Sequence, residues 1–496
     1  MQYPTSLFDR WPMLFLSTES REIRHGGSNA SVYIEGPLVL SHRVATHVAE
    51  TNFEQLPEPT RAAAVRALLD GLGVILAASG SDEAAPFVAL AREQQVRSGG
   101  ADVLGRGFRT SAAMAALANG AMAHVLDFED AFDAAPCHPN ASLIPAALAI
   151  AQAHGPVTGK ELITAVAVGC DLVCRLALSL KRPMEAGGWY PPPILGAFGA
   201  TAAAARLLRL GPRQVLDAFS LVMGQNSCPG EIKYSPDTVL RAVREAFPAQ
   251  AAVTSALLAA RGVRGFDEPL EGKAGFFRLF VDGQYDETAI LDGLGERFWI
   301  EQLTFKRWPC CRGTHAYIEA VELIRAREPF EWQEVREVTL YGGEIQTMLA
   351  EPIERKRRPS TAIEAKFSLP FTVASALHDG DVILDSFAPA RLSDPEILML
   401  ADRIAFEAVG EWGRSRPAGG EIEIALRDGR TLRERIETAQ GHPDHPLSDE
   451  ILLRKFVECV GRATGVTTPM SVAQLAEMGA QLPFERDAAS WLKRLL

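Results

Sequence analysis

Between Asp127 and Asn140 the chain concentrates the residue types that move protons. Asp127, Glu129 and Asp130 crowd one turn, Asp133 follows, and Cys137-His138-Pro139-Asn140 closes the segment. A carboxylate beside an imidazole orients it and raises its basicity, so this cluster suits general acid–base work. The same spacing also fits a solvated acidic loop with a surface histidine. A second group, Phe305-Lys306-Arg307-Trp308-Pro309-Cys310-Cys311-Arg312-Gly313-Thr314-His315, offers cations, paired thiols and a histidine. Lys306 and Arg312 can neutralise an anion, and Thr314-His315 open a predicted helix whose free N–H groups favour one. A histidine there is also an ordinary surface cap, and Cys310 has the ordinary role of a small buried residue. The third group is Arg241 and Arg244, three apart on one predicted helix face, with Lys233 before them. An arginine fork binds a carboxylate in bidentate fashion; a solvated basic face is the alternative.

These groups need elements to hold them. The small residues Ser111–Gly120 predict a closely packed helix that delivers Asp127 to its C-terminal end. Carboxylates there oppose the helix macrodipole, so the turn requires compensating cations. Helical periodicity continues over 61–70, about 82–97, 142–153, 159–180, 194–208, 212–223 and 239–261. Gly187-Gly188-Trp189-Tyr190-Pro191-Pro192-Pro193 reads as a rigid lead into one of these helices, or as backbone placed against a ligand. Near 301 the pattern changes. Residues 334–341 and 421–426 alternate as strands, Asp428-Gly429 predicts a hairpin, and helices fall at 313–327, 367–379 and 394–403. The expected architecture is mostly α: a large all-helical domain plus a smaller α+β lid. Its parts are an N-terminal extension (1–42), the first part of the helical domain (43–300), the lid (301–435) and a helical return (436–496).

A chain of 496 residues exceeds one ordinary core. Its net charge of −12 and lack of a basic face argue against a nucleic-acid partner. The seven cysteines show no double CxxC, so no metal site is expected and reduced thiols are. No run of apolar residues reaches bilayer length and no signal-peptide core is evident, which gives no membrane partner and a cytoplasmic expectation.

Leu126-Asp127-Phe128-Glu129-Asp130 with the later His138-Pro139 resembles the MmgE/PrpD family, which includes 2-methylcitrate dehydratase, cis-aconitate decarboxylase and iminodisuccinate epimerase. Further matches are Lys306-x-x-Pro309-Cys310-Cys311 with Thr314-His315, then Glu364-Ala365-Lys366-Phe367-Ser368, and Gly441-x-Pro443 with Pro446-x-Ser448 and Lys455-Phe456. They run from about 45 to 475. Departures also occur. Where relatives carry histidine this chain has Tyr190, where decarboxylating relatives carry threonine it has Ala131, and where many carry tyrosine it has Phe371. Arg241 aligns loosely with a substrate-binding lysine.

The resemblance implies handling of a proton next to a carboxylate without metal or organic cofactor. On that reading His138 is base or acid, oriented by Asp127. Lys306, Arg312, Arg241 and Arg244 hold carboxylates, and Tyr190 and His315 are candidates for a second proton site. The expected activity is a hydro-lyase acting on a small di- or tricarboxylate. The alternatives are an epimerase and a non-catalytic polycarboxylate-binding protein. The family also implies a homodimer.

Overall fold

The computed structural model describes residues 39–135, 137–235, 238–413, 416–464 and 470–495. Most of the expected extension over 1–42 lies outside the described residues, and helix is established by Leu40. The first part of the chain runs through α1 (Leu40–Glu50), α2 (Glu58–Ala77), α3 (Ala85–Glu93) and a hairpin of β1 (Ala101–Val103) with β2 (Phe108–Thr110). It continues through α4 (Ala112–Val125), α5 (Pro139–Ala153), α6 (Gly159–Ser179), α7 (Pro191–Leu207), α8 (Pro212–Met223), α9 (Leu240–Val243), α10 (Ala246–Ala260), α11 (Phe276–Val281) and α12 (Glu287–Leu291).

Start signals in the sequence fix these helices. Thr158 and Glu161 form a reciprocal capping box on α6, at 3.2 and 2.8 Å. Ser111 caps α4 through the Met114 N–H. Pro139 opens α5 where a missing N–H costs nothing, which leaves His138 as its flanking residue. α2 starts at Glu58, earlier than the periodicity from 61, so Thr60 lies within its first turn and its hydroxyl turns to Glu301.

The single helix expected over 239–261 is two. In a continuing helix the Pro248 ring would meet the carbonyl of residue 244, so α9 stops at Val243 and α10 restarts at Ala246. Arg244 and Glu245 stand at the break. A Cβ on Gly120 would come 2.7 Å from the Glu245 carbonyl oxygen, so only glycine lets α4 approach that break. α7 lies against α5, α6 and α10, and their alanines and leucines form one apolar core.

The second part runs α13 (His315–Arg327), β3 (Val335–Gly342), α14 (Glu344–Ala350), α15 (Ile353–Arg357), α16 (Ala362–Lys366), α17 (Leu369–Asp379), α18 (Pro389–Leu392), α19 (Pro395–Ala401), β4 (Ile404–Ala408), β5 (Gly420–Leu426) and β6 (Thr431–Ile436). The sheet order is β4-β3-β5-β6, with β3 and β4 parallel and the other pairs antiparallel. Alternation places Val338, Leu340, Ile422 and Ile424 inward, where with Tyr317, Val321, Phe371 and Leu377 they make a second apolar core. The chain then adds α20 (Asp449–Gly461), α21 (Val472–Gln481) and α22 (Ala488–Leu495). Phe456, Val460, Leu475 and Trp491 of these helices belong to the helical core.

Contrary to the reading of apolar runs, helices over 58–80 and 159–179 are long and apolar enough to cross a bilayer. They are 78% and 94% buried, respectively, so their apolar surface is met by protein neighbours.

Candidate active site

The site is organised by the end of α4. Asp127 takes left-handed backbone, φ 48, a conformation that aspartate tolerates better than most residues. This turns three successive carbonyls out of the helix, and each meets a different lysine. Lys366 Nζ donates to Leu126 at 2.9 Å, Lys306 Nζ to Asp127 at 2.9 Å, and Lys455 Nζ to Phe128 at 2.7 Å. All three lysines are buried. They supply the positive charge that a helix C-terminus carrying acids requires.

Lys306 also donates to Asp127 Oδ1 at 2.8 Å. Burial works against charge on both partners, but their pairing prevails. It holds the Asp127 carboxyl below its ordinary value and, with Glu129 adding to the field, pushes Lys306 up to about 12. Lys455 pairs with Asp70 at 2.7 Å. Burial, then the Lys306 charge, brings Lys366 down to about 8.

Two histidines share Glu129. Its Oε1 lies 2.5 Å from His124 Nδ1 and 3.0 Å from His138 Nδ1. His138 Nδ1 is also 3.1 Å from the Asp130 carbonyl oxygen. With acceptors on both sides, Nδ1 of His138 must carry the proton, so Nε2 holds the lone pair. No described residue bonds that Nε2. The His138 side chain keeps 18% of its surface exposed, whereas His124 keeps none. The Nε2 of His124 accepts from Arg244, while its Nδ1 donates to Glu129. Burial, then Arg244, brings the His124 pKa down to about 4, which agrees with a neutral ring. Burial opposes charge on Glu129 too, yet the histidines and Lys306 hold its carboxyl well below the ordinary range.

Arg244 Nε is 3.1 Å from Glu245, and its guanidinium stands 5.1 Å from the centre of the buried Tyr190 ring. Asp127 Oδ2, Glu129 Oε2 and Arg244 Nη2 are buried without a hydrogen-bond partner among the described residues. Such atoms are rare in folded proteins, and each calls for an explanation. Gathered beside His138, they can receive the polar groups of a small acid.

Asp130 behaves differently. Burial, then Asp70 and Glu129, raises its carboxyl to about 8, against a hydrogen bond from Asn140. With the folded value above 3.8, this carboxyl stabilises the fold fully only below that pH. Its contribution is lost as pH rises toward about 8. Asp130→Asn should therefore gain stability relative to wild type between pH 5 and pH 8, by several kcal/mol. Urea unfolding across that range checks it; parallel curves for the two proteins would show that Asp130 is ionised in the fold.

Asp127, His138 and Lys306 are brought into one cluster, with Tyr190 and Arg244 on its far side. The expected Asp127–His138 hydrogen bond is replaced: Lys306 occupies Asp127, and Glu129 holds the imidazole. Arg312 is committed elsewhere. It bonds Asp133 at 3.0 Å and the carbonyls of Ala439 and Gln440 at 2.7 Å each, which leaves little of its fork for a carboxylate. His315 is buried edge-on to Trp308, its Nε2 at 3.2 Å from the Cys310 carbonyl and its Nδ1 at 3.3 Å from Arg312. Both its nitrogens are occupied, so it offers no lone pair to a substrate proton. Arg241 faces a neighbouring cavity with its guanidinium over the Phe367 ring, so it and Arg244 do not act on a common face. Burial pushes the Cys310 thiol up to about 12, consistent with a packed small residue. Phe371 is buried in the lid core.

The sequence signal for His124 was present but unused: it is a lone titratable group on a helix otherwise built of apolar and small residues. Lys366 and Lys455 were legible only as architecture, because their carbonyl partners are remote in sequence. Donor atoms of His124, Glu129 and His138 lie within 4.8 Å of one another, close enough to hold a metal ion. Arg244 against His124 and Lys306 against Asp127 already bring positive charge there, which opposes a further cation.

Comparison with known proteins gives a family for the chain. Residues 42–288 match the MmgE/PrpD N-terminal domain and residues 308–474 the MmgE/PrpD C-terminal domain. The chain is 25% identical over 437 residues to the cis-aconitate decarboxylase-like protein oryM of Aspergillus oryzae, covering 82% of this chain and 88% of that one. It is 25% identical over 411 residues to cis-aconitate decarboxylase of Mus musculus, covering 79% and 80%. It is 24% identical over 385 residues to cis-aconitate decarboxylase of Aspergillus terreus, covering 74% and 78%.

Proposed function

The chain belongs to the MmgE/PrpD family, and from that membership together with the buried acid–imidazole cluster we propose that it is a lyase acting on a small di- or tricarboxylate. The observation that carries the reading is the pair of acceptors placed on His138 Nδ1. Glu129 and the Asp130 carbonyl hold its Nδ1–H, which leaves Nε2 as a base at a partly exposed edge of the cluster. On this reading Nε2 takes the proton from carbon beside a substrate carboxylate. The C–H electron pair moves into that carboxylate as an aci-carboxylate, stabilised by Lys306 and Arg244. The pair then returns to form a C=C bond as hydroxide on the next carbon departs, protonated to water. Tyr190, beside Arg244, is the group we assign to that second proton.

A decarboxylase uses the same parts in another order: loss of CO2 gives the carbanion, and the imidazolium returns a proton to it. Relatives named cis-aconitate decarboxylases favour that variant, while Ala131 in place of the threonine, with Tyr190 and Phe371, argues against an unmodified decarboxylase. Incubation of the protein with a panel of di- and tricarboxylic acids in D2O separates the outcomes. A lyase gives a new alkene absorbance or released CO2. An epimerase gives deuterium at carbon and loss of optical rotation with neither. Absence of new alkene, released CO2 and deuterium uptake with every acid between pH 5 and pH 9 would overturn the enzymatic reading.

A further inference from the structure

Beside the acid turn, a cavity of about 420 Å³ opens between the helical body and the lid. Its size lies within the roughly 300–1,000 Å³ of cavities that take whole small molecules. The body contributes Ile232 and Arg241, and the lid contributes Leu349, Lys356, Ile363 and Phe367. The cavity shares its wall with the catalytic cluster. The Arg241 carbonyl accepts from Arg244 at 3.2 Å, and Phe367 follows Lys366, which bonds the end of α4.

Charge is unevenly matched around this cavity. Arg355 is paired with Glu364, and Lys233 lies 3.7 Å from Glu185. Arg241 and Lys356 have no carboxylate partner among the described residues. The Arg241 guanidinium covers the Phe367 ring at 3.7 Å, with a buried Nε that bonds nothing, and Lys356 Nζ reaches only the Phe367 carbonyl, at 2.6 Å. The acids of the lining are engaged by other groups, Glu185 with Lys233, Glu364 with Arg355 and Glu351 with the Ile353 N–H. Two like charges, one from the body and one from the lid, thus border one half-apolar space without a carboxylate of their own. That arrangement costs energy unless an anion joins them. Burial, then the Arg241 charge, already brings Lys356 down to about 8. Within the catalytic cluster, Lys306 and Arg244 are each shared with a protein carboxylate, Asp127 and Glu245, and serve the one substrate carboxylate that becomes the aci-carboxylate, so a second carboxylate needs cations from outside the cluster.

We propose that Arg241 and Lys356 clamp a second carboxylate of the substrate across the seam between body and lid, and that the apolar wall between clamp and cluster selects acids whose carboxylates are separated by a stretch of hydrocarbon. This rests on the lyase reading for the identity of the first carboxylate's site. Arg241 grips in bidentate fashion, Lys356 supplies a point charge, and Ile232, Ile363 and Phe367 take the intervening methylenes.

The test is calorimetric binding of succinate, adipate and suberate at pH 7 to the wild-type protein and to its Lys356→Met, Lys356→Gln and Lys356→Arg variants. The wild type should bind suberate more tightly than succinate. Either neutral variant should weaken suberate by roughly tenfold to a hundredfold, the worth of a charge-assisted bond, and succinate by less than about twofold. Lys356→Arg should keep most of the suberate affinity. Equal weakening of both acids, no weakening, or a wild type indifferent to chain length each overturns the clamp. Solvent-deuterium exchange is scored separately on the same acids. Length-dependent binding that depends on Lys356, without exchange, leaves the clamp standing and removes the lyase reading. Exchange with affinity indifferent to chain length and to residue 356 does the reverse.

Discussion

Replacing His138 with alanine should lower kcat by about 10²–10⁴-fold, the usual worth of a positioned acid–base group, and leave thermal stability nearly unchanged. The asymmetry follows from geometry. His138 is partly exposed at the edge of the cluster, and its hydrogen bonds are to groups that keep other partners. Glu129 retains His124, and the Asp130 carbonyl can turn to water. A loss confined to kcat, with KM within a few-fold of wild type, marks removal of a group that acts in the transition state. Glu129→Gln should reproduce part of the loss through the tautomer: an amide nitrogen facing Nδ1 lets the proton move to Nε2 and withdraws the base. If His138→Ala retains turnover, the base lies elsewhere and the cluster is structural.

Lys306→Met should do more harm to the fold. It strips one ammonium from a buried pair and leaves the Asp127 carboxylate and carbonyl facing an apolar side chain. Breaking a buried pair from one side costs about 3–5 kcal/mol, because the remaining charge is stranded. Asp127→Asn in the Lys306→Met background should recover much of that loss, since the stranded charge is then gone. Activity should stay abolished in both, because the ammonium that stabilises the aci-carboxylate is absent. Urea unfolding of the two single variants and the double variant closes this cycle. Additive losses would show that Asp127 and Lys306 are not coupled.

Helices were the legible part of this chain. Ser111, Thr158, Pro139 and Pro212 are start signals that act locally, and the helices they announce are present with nearly the expected ends. The strand alternation at 334–341 and 421–426 was equally local. The break at Arg244 was visible in principle through Pro248, but an alanine-rich pattern on both sides concealed it. β4 was missed because its pairing with β3 joins residues far apart in sequence. At the site, the types were readable and the pairing was not. Asp127 and Glu129 are two residues apart on the same turn, so spacing could not say which would meet His138 and which a lysine arriving from beyond residue 300. Lys366 serves carbonyls and Lys455 carbonyls together with the distant Asp70, and neither kind of partner has a sequence signature. His315 and Arg312 looked available because nothing in their own neighbourhood reveals Asp133 or the carbonyls of Ala439 and Gln440.

The three lysines at the end of α4 also constrain how the protein comes into being. Leu126, Asp127 and Phe128 leave the ribosome long before Lys306, Lys366 and Lys455 are translated. Until then the nascent turn holds its acids without the ammonium groups that later accompany them. Lys455 reaches both Phe128 and the Lys306 carbonyl, so it arrives last and fastens a joint already half made. The turn is therefore completed only after residue 455 has been translated. A single genetic crossover between diverged relatives would hand one parent's acids to another parent's lysines, so recombinants should survive only where all three positions are preserved.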